Sequence, residues 1–179
     1  EWIVDLWIGQ FGQETTTAML QGLLQERPVT IRMRTEDEKA VEALRADLEK
    51  QGGTLKRHPY LSYAYVIEKT DDLTQLSGFE EGAFVIQDIS SMLAVEALGL
   101  PKMDNQGTLK ILDICAAPGG KSMLAADILN HADIDYMLEA RDISEYKVEL
   151  MQENFNRCHL NKAKAVAWDA LEPDERWLG

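Results

Sequence analysis

The chain has 179 residues, enough for one domain with a small companion, and it is 45% hydrophobic with 12 glycines and 5 prolines, a globular rather than a disordered composition. Lysine and arginine total 18 against 31 acidic residues, and the resulting charge of -13 argues against a generic nucleic-acid binder, which needs a basic surface, although a local basic strip is compatible with it. Apolar runs fall short of the roughly 20 residues of a spanning helix, and the two cysteines, Cys115 and Cys158, lack the spacing of a zinc site or a disulfide framework.

No charged-then-apolar leader opens the chain, so a soluble, cytoplasmic protein is expected. Residues Trp2 to about Gln25 carry Ile3, Leu6 and Trp7, then Met19, Leu20, Leu23 and Leu24, at helical spacing, with Gly12 as the break. Residues 1–26 therefore read as a pair of docking helices at the entry to the chain. In RPVTIRMR, Val29, Ile31 and Met33 alternate with Thr30, Arg32 and Arg34, the pattern of a half-buried strand. A helix is expected from Thr35, with Glu38 completing a capping box, Val41, Leu44 and Leu48 as its buried face, and Gly52-Gly53 as its stop. TLKRHPY and YAYVIEK read as two more strands about a turn at Pro59. Residues 27–79 thus form a small α+β unit. Within it Arg32, Arg34, Lys56 and Arg57 suit either a basic strip for RNA phosphates or a solvated sheet face.

From GAFVIQD onward strand alternates with helix, the rhythm of a parallel α/β sheet, over residues 80–179. Gln87, Asp88, Ser90 and Ser91 either open a helix reaching Leu98 or act directly in a site. TLKILDI is the first inner strand, followed by a glycine loop and the helix KSMLAADIL. DYMLEARD is a second strand, unusually polar for an inner position. Its helix opens at Ser144 with Val148, Met151 and Phe155 on one face, and AKAVAWD is a third strand.

Ligands in such sheets gather at the carboxyl ends of the strands. The loop DICAAPGGKS lies at one such end, and Asp142 and Asp169 follow the next two strands. A phosphate-binding loop of the Walker type needs a glycine where Cys115 stands, so Gly120-Lys121-Ser122 alone makes an ATPase a poor reading. Asp142 lies near the spacing at which an acid takes ribose hydroxyls, while a helix cap is the plainer role for it and for Asp169. His58, His131 and His159 show no metal spacing, and Cys158 reads as a packing residue.

DICAAPGGKS resembles motif I of the S-adenosylmethionine-dependent RNA cytosine-5 methyltransferases. FVIQDISSMLA, ARDISEYKVELMQENFNR and WDA resemble neighbouring motifs of that family, over about Gly82 to Gly179. The first 79 residues resemble, more loosely, the entry helix and small RNA-recognition-like subdomain of the bacterial 16S ribosomal RNA enzymes. The resemblance implies an α/β fold, a partial Rossmann-like methyltransferase sheet preceded by a small α+β subdomain, with residues 80–179 as the cofactor-binding part. It implies that Cys115, Ala116, Ala117, Pro118, Gly119, Gly120 and Lys121 hold the methionyl part of S-adenosylmethionine. Asp142 would take its ribose, with Lys147 nearby where the family commonly has arginine, and Asp169 its adenine. Ribosomal RNA is the implied partner, with no metal and no membrane.

Glu139 and Arg141 depart from the family's apolar second strand. The family's catalytic cysteines lie in Asp-x-Pro-Cys and Thr-Cys segments, and neither occurs in these 179 residues. The chain is thus expected to supply the cofactor-binding half without catalytic residues, to be inactive alone, and to leave the edge of its first inner strand uncovered and prone to association. Cys115, inside the loop, takes a binding role rather than a nucleophilic one. A non-catalytic RNA-binding or scaffold protein that keeps the fold is the alternative.

Overall fold

The computed structural model describes residues 1–24, 28–35, 37–70, 72–103 and 107–177. Two helices open the chain, α1 (Trp2–Phe11) and α2 (Gln13–Leu23), separated at Gly12, whose φ of 80° suits a residue without a Cβ. They pack on each other, and Trp2, Phe11, Leu23 and Leu24 stay exposed. The expected limits of this pair near Gln25 and of the next unit at Arg27 lie outside the described residues.

A four-stranded antiparallel sheet follows, in the order β2-β3-β1-β4, made of β1 (Val29–Met33), β2 (Thr54–Arg57), β3 (Ala64–Glu68) and β4 (Phe84–Ile86). Helix α3 (Glu38–Lys50) covers one face, with Leu44 and Leu48 fully buried against Ile31, Tyr65, Ile67 and Phe84. Each such leucine contributes roughly 2 kcal/mol by leaving water. The cap of α3 is Asp37, which accepts from the amide of Lys39, and not the capping box read at Thr35 and Glu38. Thr35 Oγ1 instead accepts from the amide of Asp37. Because β4 pairs with β1, this sheet reaches past the boundary expected at residue 79.

The second sheet is parallel, in the order β5-β6-β7, from β5 (Leu109–Asp113), β6 (Tyr136–Asp142) and β7 (Ala163–Ala167). Helices α4 (Ile89–Glu96), α5 (Gly120–His131) and α6 (Glu145–Arg157) supply its core, through Met92, Leu124, Leu129, Met151 and Phe155 against Leu138 and Ala140. Ala64 and Val85 of the antiparallel sheet join this same core, so one face of that sheet packs into the core of the parallel one while its other face forms a separate core with α3.

That junction corrects the reading of β1 as a half-buried strand. Arg32 is 1% exposed. Its Nη1 donates to Asp127 Oδ2 of α5 at 2.6 Å and its Nε to Gln87 Oε1 at 2.9 Å. Arg34 grips the same carboxylate with Nε and Nη2, at 2.9 and 2.7 Å, and donates to the carbonyls of Gly82 and Cys158. A buried charge survives only when paired and hydrogen-bonded, and this cluster pins the small sheet to α5.

Candidate functional site

Each parallel strand leads, at its end or within two residues of it, to a residue singled out in the sequence. After Asp113 the loop turns through Cys115–Gly119 into α5, which has no side-chain cap: Gly119 takes the N-cap position with φ 96°. The conformation calls for glycine, and a Cβ there would also lie a tight 3.1 Å from Phe155 Cε1. The first amides of α5 have no intrahelical partners and face outward with the positive end of the helix dipole, a ready site for an anionic or carbonyl oxygen. Backbone bonds hold the loop in place, from Ala116 N to the carbonyl of Arg141 at 2.8 Å and from Gly119 N to that of Ala116 at 2.7 Å. Ser122 Oγ, buried on α5, donates to Asp113 Oδ2 at 2.7 Å and ties strand end to helix start.

Asp142, at the end of β6, is mostly buried. It accepts from the amide of Ser144 at 3.1 Å, and Lys147 Nζ stands 3.8 Å from Oδ1. Its carbonyl accepts from Trp168 N at 3.1 Å, which joins the end of β7 to that of β6. Asp169 lies next, its Oδ1 taking the amide of Leu171 at 2.9 Å. Neither aspartate caps a helix, the plainer role named for them, since α6 starts at Ser144 with no side-chain cap; each instead closes a local turn, and both stand in line with the loop along the strand ends. Cys115 and Lys121 are exposed, and Ala116 and Gly119 are buried beneath them. A cavity of about 190 Å³ opens beside the loop, lined by Ile86, Gln87, Asp88, Ser91, Pro118 and Lys121, among others.

The polar residues of β6 have a physical explanation. Arg141 and Glu139 lie on the sheet face opposite α5, where Arg141 Nε donates to Glu139 Oε1 at 2.6 Å and Nη2 pairs with Asp174. The guanidinium sits 4.7 Å from the ring centre of Trp168, and Arg176 completes the cluster at 2.6 Å from Asp174. The hydrogen bonds from Arg176, then from Arg141, hold the Asp174 carboxyl well below its ordinary value despite partial burial. Residues 168–177, which include Asp169, are thereby folded against β6 through Trp168, Asp174 and Arg176.

The basic strip does not assemble. Arg32 and Arg34 face inward on Asp127, because β1 lies between β3 and β4 with both faces covered. Burial holds the Arg32 guanidinium below its usual value despite Asp127. Lys56 and Arg57 remain exposed on β2, Lys56 paired with Glu68 at 2.8 Å and Arg57 with the Tyr65 hydroxyl at 3.1 Å. Sequence reasoning passed over Asp127; the signal was a lone acid in the otherwise apolar run MLAADIL. Asp88 proves to be the cap of α4, bonding Ser90 N and Oγ, while Gln87 turns inward. Among the described residues no group of histidines, cysteines and acids could hold a metal, and no helix is long and apolar enough to cross a membrane. Cys158 is buried, which raises its thiol above the ordinary value and suits packing.

Residues 100–179 match the family described as 16S rRNA methyltransferase RsmB/F. The ribosomal RNA small subunit methyltransferase B of Vibrio cholerae is 35% identical over 132 residues, 74% of this chain and 28% of that protein. The protein of the same description from Proteus mirabilis is 31% identical over 164 residues, 92% of this chain and 36% of that one. The chain thus spans about a third of the length of these relatives. Among solved structures, NSun6 from Pyrococcus horikoshii with SFG superposes with a TM-score of 0.74 at 18% identity, over 93% of this chain and 65% of that one. A methyltransferase homolog protein from the same organism gives 0.68 at 23%, over 90% and 50%. These two likenesses establish the fold, a Rossmann-like methyltransferase sheet behind a small α+β unit. Residues 100–179, which carry this loop on that sheet, match the 16S rRNA methyltransferase RsmB/F family, and the chain is similar to members described as ribosomal RNA small subunit methyltransferase B.

Proposed function

We propose that this chain is the cofactor-binding half of a methyltransferase that moves a methyl group from S-adenosylmethionine to carbon 5 of a cytosine in 16S ribosomal RNA. The observation that carries the reading is the alignment of three groups at consecutive strand ends: the uncapped start of α5, Asp142 and Asp169. The donor set fits the cofactor. Loop amides suit the methionyl carboxylate, and carboxylates suit ribose hydroxyls and an adenine amino group. A structural relative solved with SFG, an analogue of S-adenosylmethionine, supports the same assignment.

Bound there, the cofactor supplies an electrophilic methyl group. The loop Cys115 to Lys121 would fix its amino-acid end, Asp142 its ribose, with Lys147 beside that carboxylate, and Asp169 its adenine. The thiolate that such transfer to carbon 5 requires would come from Asp-x-Pro-Cys and Thr-Cys segments, which these residues do not contain, so the chain alone binds without turnover. RNA phosphates would meet the exposed Lys56 and Arg57 rather than Arg32 and Arg34. Replacing Asp142 by alanine tests the reading. A hydrogen bond to a charged group is worth about 1.5–3 kcal/mol, so affinity for S-adenosylhomocysteine should fall roughly tenfold or more. A change within about twofold would remove the ribose role.

A further inference from the structure

Gln87 is a buried side chain whose amide nitrogen has no hydrogen-bond partner among the described residues. It follows β4 and is 6% exposed, and its carboxamide lies against the start of the cofactor helix: a Cβ on Gly120 would sit 3.5 Å from Gln87 Cδ and 3.6 Å from Nε2. The orientation of that amide is fixed by chemistry. Arg32 Nε can only donate, so the atom it meets at 2.9 Å must be the oxygen, and the nitrogen is turned the other way. Gln87 Nε2 is then a buried donor with no hydrogen-bond partner among the described residues, beside Gly120, and Gln87 lines the same cavity as Pro118, Gly120 and Lys121. Buried amide donors are almost always paired, and an unpaired one carries a free-energy penalty until it meets an acceptor.

The neighbourhood is short of acceptors. Arg32 and Arg34 share the single carboxylate of Asp127, and Arg32 Nη2 has no partner among the described residues either. Lys121 adds a cation at the same cavity, and the amides opening α5 add donors. The one acid lining it is Asp88, whose Oδ2 is engaged by Ser90 Oγ at 2.8 Å. Position narrows the ligand further. Asp169, Asp142 and the loop follow the strand order β7, β6, β5, and this cavity lies at the loop, between it and the start of α4. A ligand with adenine at Asp169 and ribose at Asp142 brings its amino-acid end here.

We infer that Gln87 is a further binding residue, whose Nε2–H donates to the α-carboxylate of the cofactor, and that Arg32 of the small sheet is a positioning residue that keeps the amide turned for this. The inference rests on the S-adenosylmethionine reading proposed above. It makes the junction between the sheets part of the cofactor site, since the arginine that aims Gln87 is the one that grips α5.

The test compares two ligands by calorimetry: S-adenosylhomocysteine, and S-adenosyl-3-thiopropylamine, which keeps the amino group but lacks the carboxylate. Gln87→Leu removes the donor. Gln87→Glu keeps a partner for Arg32, and so the fold, while placing an acceptor where the donor stood. Both variants should bind S-adenosylhomocysteine roughly ten- to a hundredfold more weakly, and the decarboxylated ligand within about twofold of wild type. If the wild-type chain binds both ligands and the variants lose both equally, or lose neither, the assignment of Gln87 is overturned while the cofactor reading stands. If the wild-type chain binds neither, the cofactor reading itself falls and this inference with it.

Discussion

Replacing Asp127 by alanine should be the most damaging single change away from the loop. The carboxylate receives three hydrogen bonds from Arg32 and Arg34, at 2.6, 2.7 and 2.9 Å, and all three side chains are largely buried. Removing it strands two guanidinium groups at the junction between the sheets, which costs about 3–5 kcal/mol for a broken buried pair. Against the roughly 5–15 kcal/mol that holds a domain folded, that is about a fifth of the total or more. With a urea dependence of roughly 2 kcal/mol per molar, the unfolding midpoint should fall by about 2 M, read from tryptophan fluorescence and circular dichroism. Glu68→Ala, which breaks the exposed pair with Lys56, is the control and should shift the midpoint by less than about 0.5 M. Exchanging all three charges for apolar residues, Arg32→Met, Arg34→Met and Asp127→Leu together, should restore much of the loss, because the damage comes from uncompensated charge. An Asp127→Ala shift no larger than that of the control would refute the reasoning.

Gly119→Ala forces a side chain into φ 96° and to 3.1 Å from Phe155, and should cost about 1–3 kcal/mol. Gly120→Ala, whose Cβ would meet Gln87 at an ordinary 3.5 Å, should cost distinctly less, so equal losses in thermal melts would contradict the local geometry. Acid sensitivity has an assignable part. The hydrogen bond from the Ser77 hydroxyl, then that from Lys50, lowers the Asp47 carboxyl from 3.8 to about 2. Its folded value lies below its unfolded one, so the stability it adds is present above about pH 4 and is lost as the pH falls through about 2. Asp47→Asn should flatten the decline of the urea midpoint over that interval, and parallel declines in the two proteins would remove the assignment. Strand β5 pairs only with β6 among the described residues, leaving an edge beside half-buried Ile111 and Leu112. The chain should therefore self-associate at high concentration, and a sharp monomer by sedimentation with a high, cooperative melt would count against this.

Much of the fold was legible because the chain is locally consistent. The alternation in Val29–Met33, the helical spacing of Val148, Met151 and Phe155, and the strand-loop-helix around Gly119 each announce their elements within a few residues. Three things were not legible, for related reasons. Arg32 and Arg34 look like the wet face of a strand, and only the approach of α5, 93 and 95 residues away in sequence, turns that face into a core. FVI reads as the opening of the parallel domain but pairs backward with β1, since strand pairing is a property of two segments and a pattern belongs to one. Glu139 and Arg141 look like intrusions until residues 168–177 fold over them with Asp174 and Trp168. In the site, the positions at strand ends could be read because topology puts ligands there. The aim of the Gln87 amide could not, since it depends on an arginine 55 residues earlier.

The central claim is that the loop Cys115 to Lys121, with Asp142 and Asp169, takes an S-adenosyl compound rather than a nucleoside triphosphate. A calorimetric titration of the 179-residue chain with S-adenosylhomocysteine, repeated in the presence of ATP, tests it most directly. The account predicts saturable binding at one site that excess ATP does not displace. Displacement by ATP, or no binding of S-adenosylhomocysteine to a folded chain, would contradict it.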